Sequence, residues 1–273
     1  MRTDIQTHRI PIAHGELAIH VQGAATAPVV YMAHSILSSS MMWQAQAELL
    51  ASTGWRVICA DTRGHGQSTS PPGPYSMNQL AGDMVTILDA MGIERAHYLG
   101  LSLGAMSGFG LAIHHADRLL SLCLCDGRAD MPSALGAPWD ERIRLAREQG
   151  CVALSVSTPE RWFGKPFLDA NPAIAQQFNS TVAATQVEGF CGCAQAIQGL
   201  DYFSQVSAIT SPTTLIVGAN DGPLPQAMQS LQGLIPGSVL EVIPNAGHLP
   251  NIDQPAAFNA ALLRHLERVS TSR

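Results

Sequence analysis

Lysine is nearly missing from this chain. Lys165 is the only one in 273 residues, and all Asp, Glu, Lys and Arg together make up 13% of the sequence, with a net charge of -6. A chain so short of positive charge, with its arginines scattered, has no basic face to neutralise a phosphate backbone, so nucleic acid is excluded as a partner. The arginines read instead as a solvated surface, with one reserved for a ligand. Long apolar runs are lacking too. None approaches the length of a membrane span, and the polar opening residues 1–11 hold no apolar segment of a secretory leader. No membrane contact and a cytoplasmic location are expected. Cysteine offers no staple. Cys59, Cys123, Cys125, Cys151, Cys191 and Cys193 include two C-x-C pairs but no companion histidines at zinc-site spacing. Cys59, Cys123 and Cys125 lie in apolar strand-like runs, where cysteine behaves as a small hydrophobe, and all six are expected to be reduced. The aspartates and histidines form no ligand-spaced cluster, and no dinucleotide glycine fingerprint follows the first strand. Neither a metal nor an organic cofactor is expected. Internal repeats and low-complexity tracts are absent as well, and 46% apolar residues make a folded protein with a well-buried core.

What the chain does have is alternation. Residues 17–21 alternate as an outer strand does. Short runs that are apolar throughout follow at 28–33, 56–60, 96–101, 119–125, 213–217 and 239–243, the pattern of strands buried on both faces of a parallel sheet. Helical spacing marks 43–51, 76–91, 103–115 and 255–269. In the second of these, Leu80, Met84, Ile87 and Leu88 share a face. Pro255 suits the first turn of the last helix, and Asp253 suits its N-terminal end. Strand–helix alternation predicts a doubly wound α/β sheet. It fails between residues 127 and 206, where short helical pieces are broken by Pro132, Pro138, Pro159, Pro166 and Pro172. This stretch reads as a helical cap (127–206) inserted into a core made of residues 1–126 and 207–273.

Gly100-Leu101-Ser102-Leu103-Gly104 is a G-x-S-x-G string between an apolar strand and the start of a helix. A strand-to-helix turn that tight holds a serine hydroxyl above the sheet edge, and the flanking glycines remove side chains that would collide. A neutral hydroxyl needs a positioned base. Of ten histidines, His248 alone combines a loop after the last strand with a place at the carboxyl edge of the sheet, beside Ser102. The base needs a buried carboxylate to fix its tautomer. Asp221, after the 213–217 strand, fits the order serine, acid, histidine; Asp126, at the end of the 119–125 strand, is its rival, with a hinge residue making local hydrogen bonds as its plainer reading. Backbone N–H groups of Leu103 and Ile36 are the expected donors to a developing oxyanion. The Ser35 hydroxyl is an alternative donor, and His34 is expected to brace the loop.

Several stretches resemble the α/β-hydrolase superfamily, and more narrowly the 3-oxoadipate enol-lactonases. Asp61-Thr62-Arg63-Gly64-His65-Gly66-Gln67-Ser68 is similar to the family's D-x-R-G-x-G-x-S stretch. Gly73-Pro74-Tyr75-Ser76, His115-Ala116-Asp117-Arg118, Arg161-Trp162-Phe163, Glu188-Gly189-Phe190 and Cys193-Ala194-Gln195-Ala196-Ile197 continue the likeness. The resemblance implies a mostly parallel eight-stranded sheet flanked by helices, with the cap inserted after strand 6. It also implies a serine hydrolase for a small ester or lactone, working through an acyl-enzyme, with a homodimer as an open expectation. Three departures from the family pattern lie near the substrate: His34-Ser35-Ile36-Leu37, Ala105, and the prolines after Asp221. A carboxylate-bearing lactone needs a cation, and Arg161, beside Trp162, is the candidate; its plainer reading is a helix-end residue paired with Glu160. Arg63 is expected to brace its loop. For a carboxylesterase of neutral esters, Met32, Met41, Met42 and Trp43 would line an acyl pocket, or else simply pack in the core. Trp162, Ser35 and Trp43 complete the expected substrate contacts. Carbon–carbon bond hydrolysis of a ring-cleavage product and a catalytically idle binder are the remaining alternatives.

Overall fold

Runs of Val, Ile, Leu and Cys too short for a buried helix become one eight-stranded sheet in the computed structural model, which describes residues 4–270. The first three residues of the polar opening stretch lie outside them. The strands are β1 (Gln6–Ile12), β2 (Gly15–Gln22), β3 (Val29–Ala33), β4 (Arg56–Ala60), β5 (Ala96–Leu101), β6 (Leu119–Cys125), β7 (Thr213–Gly218) and β8 (Val239–Ile243). Their order is β1-β2-β4-β3-β5-β6-β7-β8. Pairing is antiparallel from β1 through β2 to β4 and parallel from there to β8. Every residue of β3, β5 and β7 is buried, as runs without polar alternation require.

The two edges depart from the sequence reading. β1 has no apolar run because only Ile10 on it is buried, so its position rests on a tight hairpin to β2, with His14 at φ 66°. β8 reads as apolar on both faces, yet Val239 and Val242 are 38% and 49% exposed. It is the outer strand, with no neighbour beyond it among the described residues.

Helices α1 (Gln44–Ser52), α2 (Met77–Ala90) and α3 (Leu103–His114) join the first strands. Ser76 caps α2 by accepting the Gln79 N–H at 3.2 Å. Between β6 and β7 run α4 (Ala137–Gln149), α5 (Ser157–Phe163), α6 (Lys165–Ala170), α7 (Pro172–Ala184) and α8 (Val187–Gln198). This insertion hangs on a short laced neck. Asp130 bridges Asp201, Met131 N–H donates to the Leu200 carbonyl, and Tyr202 N–H donates to that of Ala129. It has an aromatic centre of its own, in which Trp162, Phe163 and Phe178 pack edge to face. Helix α8 seats it on the sheet edge through glycines. A Cβ on Gly189 would lie 2.2 Å from the Gly64 Cα, and one on Gly192 would lie 2.6 Å from the Tyr75 ring. Only hydrogen atoms at those positions let the backbones meet.

Two more helices, α9 (Leu224–Leu234) and α11 (Pro255–Ser270), pack on the last strands, with the single turn α10 (Pro250–Asp253) before α11. Helix α9 is hidden in the sequence by Pro223 and Pro225, which sit at its cap and in its first turn, where proline is tolerated. All six cysteines are free and buried. Among the described residues, no helix is long and apolar enough to cross a membrane.

Candidate active site

The turn from β5 into α3 forces Ser102 to φ 56°, ψ -112°, a conformation that costs a non-glycine residue of order 1–3 kcal/mol. Sheet and helix hold it there. Ser102 N–H donates to the Cys125 carbonyl on β6 at 2.9 Å, and its carbonyl accepts from Met106 N–H at 2.8 Å. A Cβ on Gly100 would lie 2.4 Å from the Gly104 oxygen, and one on Gly104 would lie 2.4 Å from the Ala33 oxygen, so both glycines of the motif are steric necessities. Ala105 is tolerated because its methyl fills the space left by Gly127, where a Cβ would approach it to 2.6 Å.

The loops after β7 and β8 bring the partners. Asn220 N–H donates to the Ala246 carbonyl and Ala219 N–H to that of Ile243, which zips the two loops together. Across them, His248 Nδ1 lies 2.7 Å from Asp221 Oδ2, and His248 Nε2 lies 2.9 Å from Ser102 Oγ. With the carboxylate accepting at Nδ1, the imidazole carries its proton there and Nε2 accepts from the hydroxyl. The His248 backbone is pinned by its N–H to the Trp162 carbonyl of α5 at 2.8 Å. Asp253 holds the same loop by accepting the Gly247 N–H at 2.6 Å, rather than serving the start of α11. Burial raises its carboxyl to about 6.

The loop after β3 is braced by two neutral histidines. His34 donates from Nδ1 to the Ser35 carbonyl at 2.7 Å and accepts the Thr62 N–H at Nε2. His65 donates to the Arg63 carbonyl and accepts the Leu37 N–H at 3.0 Å. Burial lowers both, and the nearby His34 helps bring His65 to about 3. Ser35 N–H goes to the Met42 sulfur and Ser38 N–H to the Ser35 carbonyl. On the facing helix, Gly104 N–H goes to the His34 carbonyl. Among the described residues, no protein acceptor takes the N–H groups of Ile36, in the loop after β3, or of Leu103, which follows Ser102 at the start of α3. Arg63 braces its loop from below through a two-pronged pair with Asp83, Nε to Oδ2 at 2.6 Å and Nη2 to Oδ1 at 2.5 Å.

Several expected substrate contacts lie elsewhere. Trp43 is completely buried behind the loop, 6.0 Å from the Phe258 ring, so it lines no accessible pocket. The Ser35 hydroxyl is also fully buried and turned onto the Ile36 carbonyl, so it is not a donor to a ligand. Met32 and Met42 are core residues, and the Trp162 ring belongs to the aromatic centre of the insertion; its carbonyl reaches the site instead. Arg161 on α5 does not pair with Glu160; removal of its guanidinium from water lowers it from the usual arginine range, and the Asp221 charge opposes that. Arg142 on α4 escaped the sequence reading, although Trp139 and Arg142 stand at helical i, i+3 spacing. Its guanidinium lies 4.7 Å from the Trp139 ring centroid and 5.6 Å from that of Phe190, and donates to the Thr158 hydroxyl of α5 at 3.2 Å. Burial and the neighbouring Arg161 push it down to about 9. Among the described residues, neither arginine is ion-paired with a carboxylate.

Asp126, Asp221 and His248 place one ligating atom each within 4.8 Å of one another, a cluster that spacing in the sequence does not reveal. Both imidazole nitrogens are engaged by Asp221 and Ser102, so the donor set is that of a proton relay rather than of a metal site. Of the two rival acids, Asp221 is the one bonded to the histidine. Asp126 is fully buried, with Oδ1 accepting the Gly218 N–H at 2.8 Å.

A family model for the alpha/beta hydrolase fold matches residues 28–255. The chain is 34% identical to 3-oxoadipate enol-lactonase 2 of Acinetobacter baylyi over 247 residues, 90% of this chain and 91% of that one. Among solved structures, the enol-lactonase from Burkholderia xenovorans LB400 is 30% identical, with a TM-score of 0.91 over 95% of this chain and 100% of that one. A thermophilic esterase from Thermogutta terrifontis is 27% identical, with a TM-score of 0.88 over 97% and 99%.

Proposed function

The chain belongs to the α/β-hydrolase fold family, and on that premise we propose that it is a serine hydrolase that opens a small carboxylate-bearing lactone through an acyl-enzyme on Ser102. The observation that carries the reading is the hydrogen-bonded line from Ser102 Oγ through His248 to Asp221, with steps of 2.9 and 2.7 Å. His248 Nε2 takes the hydroxyl proton as Ser102 Oγ bonds to the lactone carbonyl carbon. The carbonyl oxygen becomes negative between the Ile36 and Leu103 N–H groups, each worth roughly 3 kcal/mol in such a site. Asp221 compensates the imidazolium. Collapse breaks the ring C–O bond, and the departing oxygen takes the proton from His248 Nε2. The opened product is still joined to Ser102 as an ester. Water then gives a proton to His248 Nε2 and attacks the acyl carbon; the bond from that carbon to Ser102 Oγ breaks, and Oγ takes the proton back from His248, which frees the acid product.

The lactone and its carboxylate are supported by two observations: the 34% likeness to an enol-lactonase, and two guanidinium groups without carboxylate partners, Arg161 on α5, whose Trp162 carbonyl holds His248, and Arg142, bonded to Thr158 of the same helix. The likeness to an esterase favours small neutral esters as the second reading. Comparing kcat/KM for carboxylate-bearing enol-lactones and for short p-nitrophenyl esters separates the two. Fast ester turnover with none on lactones overturns the first reading. Ser102→Ala is expected to lower either activity by about 10⁴-fold or more and to end labelling by a fluorophosphonate. Labelling that persists in Ser102→Ala removes Ser102 as the nucleophile.

A further inference from the structure

Asp126 is a buried carboxyl group that the steps above leave unused. It follows the last residue of β6 and has a left-handed backbone, φ 46°, which a residue other than glycine adopts only when its surroundings dictate it. Its N–H donates to the Ile216 carbonyl at 2.9 Å and its Oδ1 accepts the Gly218 N–H at 2.8 Å, so it clamps the end of β7. The Asp221 turn begins there, with Asp221 N–H donating to the Gly218 carbonyl at 3.1 Å. Oδ2 of Asp126 is buried with no donor facing it. The titratable groups around it are Asp221, Asp253, Cys125 and His248, and none of them brings a permanent positive charge.

Two buried carboxyl groups side by side cannot both ionise cheaply, and the proton settles on the more buried one. Here that is Asp126, fully buried, against Asp221 with 14% of its side chain exposed and an imidazole to bond. We propose that Asp126 is a positioning residue that stays protonated and donates from Oδ2 to the Asp221 carboxylate, so that the pair carries a single negative charge, held on the oxygen that bonds His248. This rests on the reading of Ser102 and His248 as a hydrolytic pair. Burial first, and the Asp221 charge second, push Asp126 well above the usual carboxylate range, in agreement with the geometry. The arrangement gives the orphaned oxygen a partner and fixes the rotation of Asp221. It also leaves one negative charge, rather than two, beside the imidazole.

The test compares Asp126→Leu with Asp126→Asn. The leucine variant removes both the clamp and the donor, and is expected to lower kcat about tenfold or more, the worth of a hydrogen bond to a charged group. Asparagine keeps the Gly218 acceptor and offers an N–H in place of the O–H, so kcat recovers. The acidic limb of the pH profile of kcat/KM then superimposes on that of the wild type, because a neutral group has replaced a neutral group. If Asp126 is ionised instead, Asp126→Asn removes a charge and moves that limb to lower pH, which overturns the proposal. Infrared spectra at neutral pH supply a readout independent of turnover. A protonated carboxyl stretch is expected in the wild type and is lost in Asp126→Asn; identical spectra also overturn the proposal. Fluorophosphonate labelling of the wild type separates the two levels. If labelling fails, the hydrolase reading falls, and the infrared spectra still decide the protonation of Asp126.

Discussion

Gly247→Ala probes how tightly the histidine loop is held. A Cβ at position 247 would lie 2.2 Å from the Trp162 carbonyl oxygen, where ordinary contact begins at 3.4 Å, so loop and α5 must separate by about 1.2 Å. The loop has no room to retreat toward β7, because a Cβ on Gly218 would already lie 2.0 Å from the Gly247 oxygen, and Asp253 holds the Gly247 N–H from a third side. The displacement therefore falls on α5 and on the His248 N–H to Trp162 hydrogen bond. A misplacement of about 1 Å at a catalytic group costs roughly 100-fold, near 2.7 kcal/mol of activation free energy. Overpacking itself costs about 1–3 kcal/mol of stability, or roughly 2–10 °C in Tm for a chain of this length. The assay is kcat on p-nitrophenyl acetate together with the rate of fluorophosphonate labelling and a thermal melt, with Gly233→Ala as control, since a Cβ there meets nothing within 4 Å. The expected result is a fall in kcat of about 30- to 100-fold with the fold retained. A variant with kcat within about twofold of the wild type would refute the argument that α5 sets the position of His248.

Arg142→Ala is expected to raise KM for an anionic lactone by about 10- to 100-fold, the worth of a hydrogen bond to a charged group, while a neutral ester is turned over as before; equal effects on both substrates would remove it from carboxylate recognition. Arg63→Ala leaves Asp83 as an unpaired buried charge and is expected to cost about 3–5 kcal/mol in urea denaturation, whereas Arg63→Ala combined with Asp83→Leu recovers most of it; a double variant as unstable as the single one contradicts the ion-pair account. Burial, aided by Arg268 and His97, lowers His265 to about 3, so it stays neutral in the fold while the unfolded chain takes up a proton below about 6.5. The stability it contributes is present above that pH and is lost toward pH 3, at up to about 1.4 kcal/mol per pH unit. His265→Gln is expected to flatten the urea midpoint against pH between 7 and 5 relative to the wild type, and parallel curves would contradict this.

The elements that were legible in the sequence are those whose signal is local. Ser102 is announced by glycines that the turn cannot do without, Asp221 by its place after a buried strand, and His248 by its place in the loop after the last strand. Edges are harder. β1 keeps a polar face and shows no pattern, while β8 shows a buried pattern on an exposed strand, because a strand's string does not say whether a neighbour lies beyond it. Side-chain direction is not in the string either. Trp43 and Ser35 stand in the right loop but point into the core, and Trp162 serves through its carbonyl rather than its ring. Arg142 and Asp126 acquire meaning only from groups distant in the chain, Thr158 and Phe190 for one, Gly218 and Asp221 for the other.

On the proposed reading, the seven-residue helix α5 joins recognition to chemistry. Its Trp162 carbonyl holds the His248 backbone, its Arg161 stands within reach of the Asp221 charge, and its Thr158 accepts the Arg142 hydrogen bond. The Trp162 ring locks the helix to Phe163 and Phe178, and the glycine seam of α8 locks the whole insertion to the sheet edge. A cation that moves to meet a substrate carboxylate therefore moves on the same short rod that sets the base. Packed elements shift as units rather than bending continuously. So a substitution that widens the pocket by displacing α5 loses kcat as it gains substrate range. One that trims a side chain in place, at Arg142 or Arg161, changes KM alone. On the proposed reading, the substrate class is adjustable at Arg142 of α4 and Arg161 of α5, while the position of α5 is constrained by the reaction.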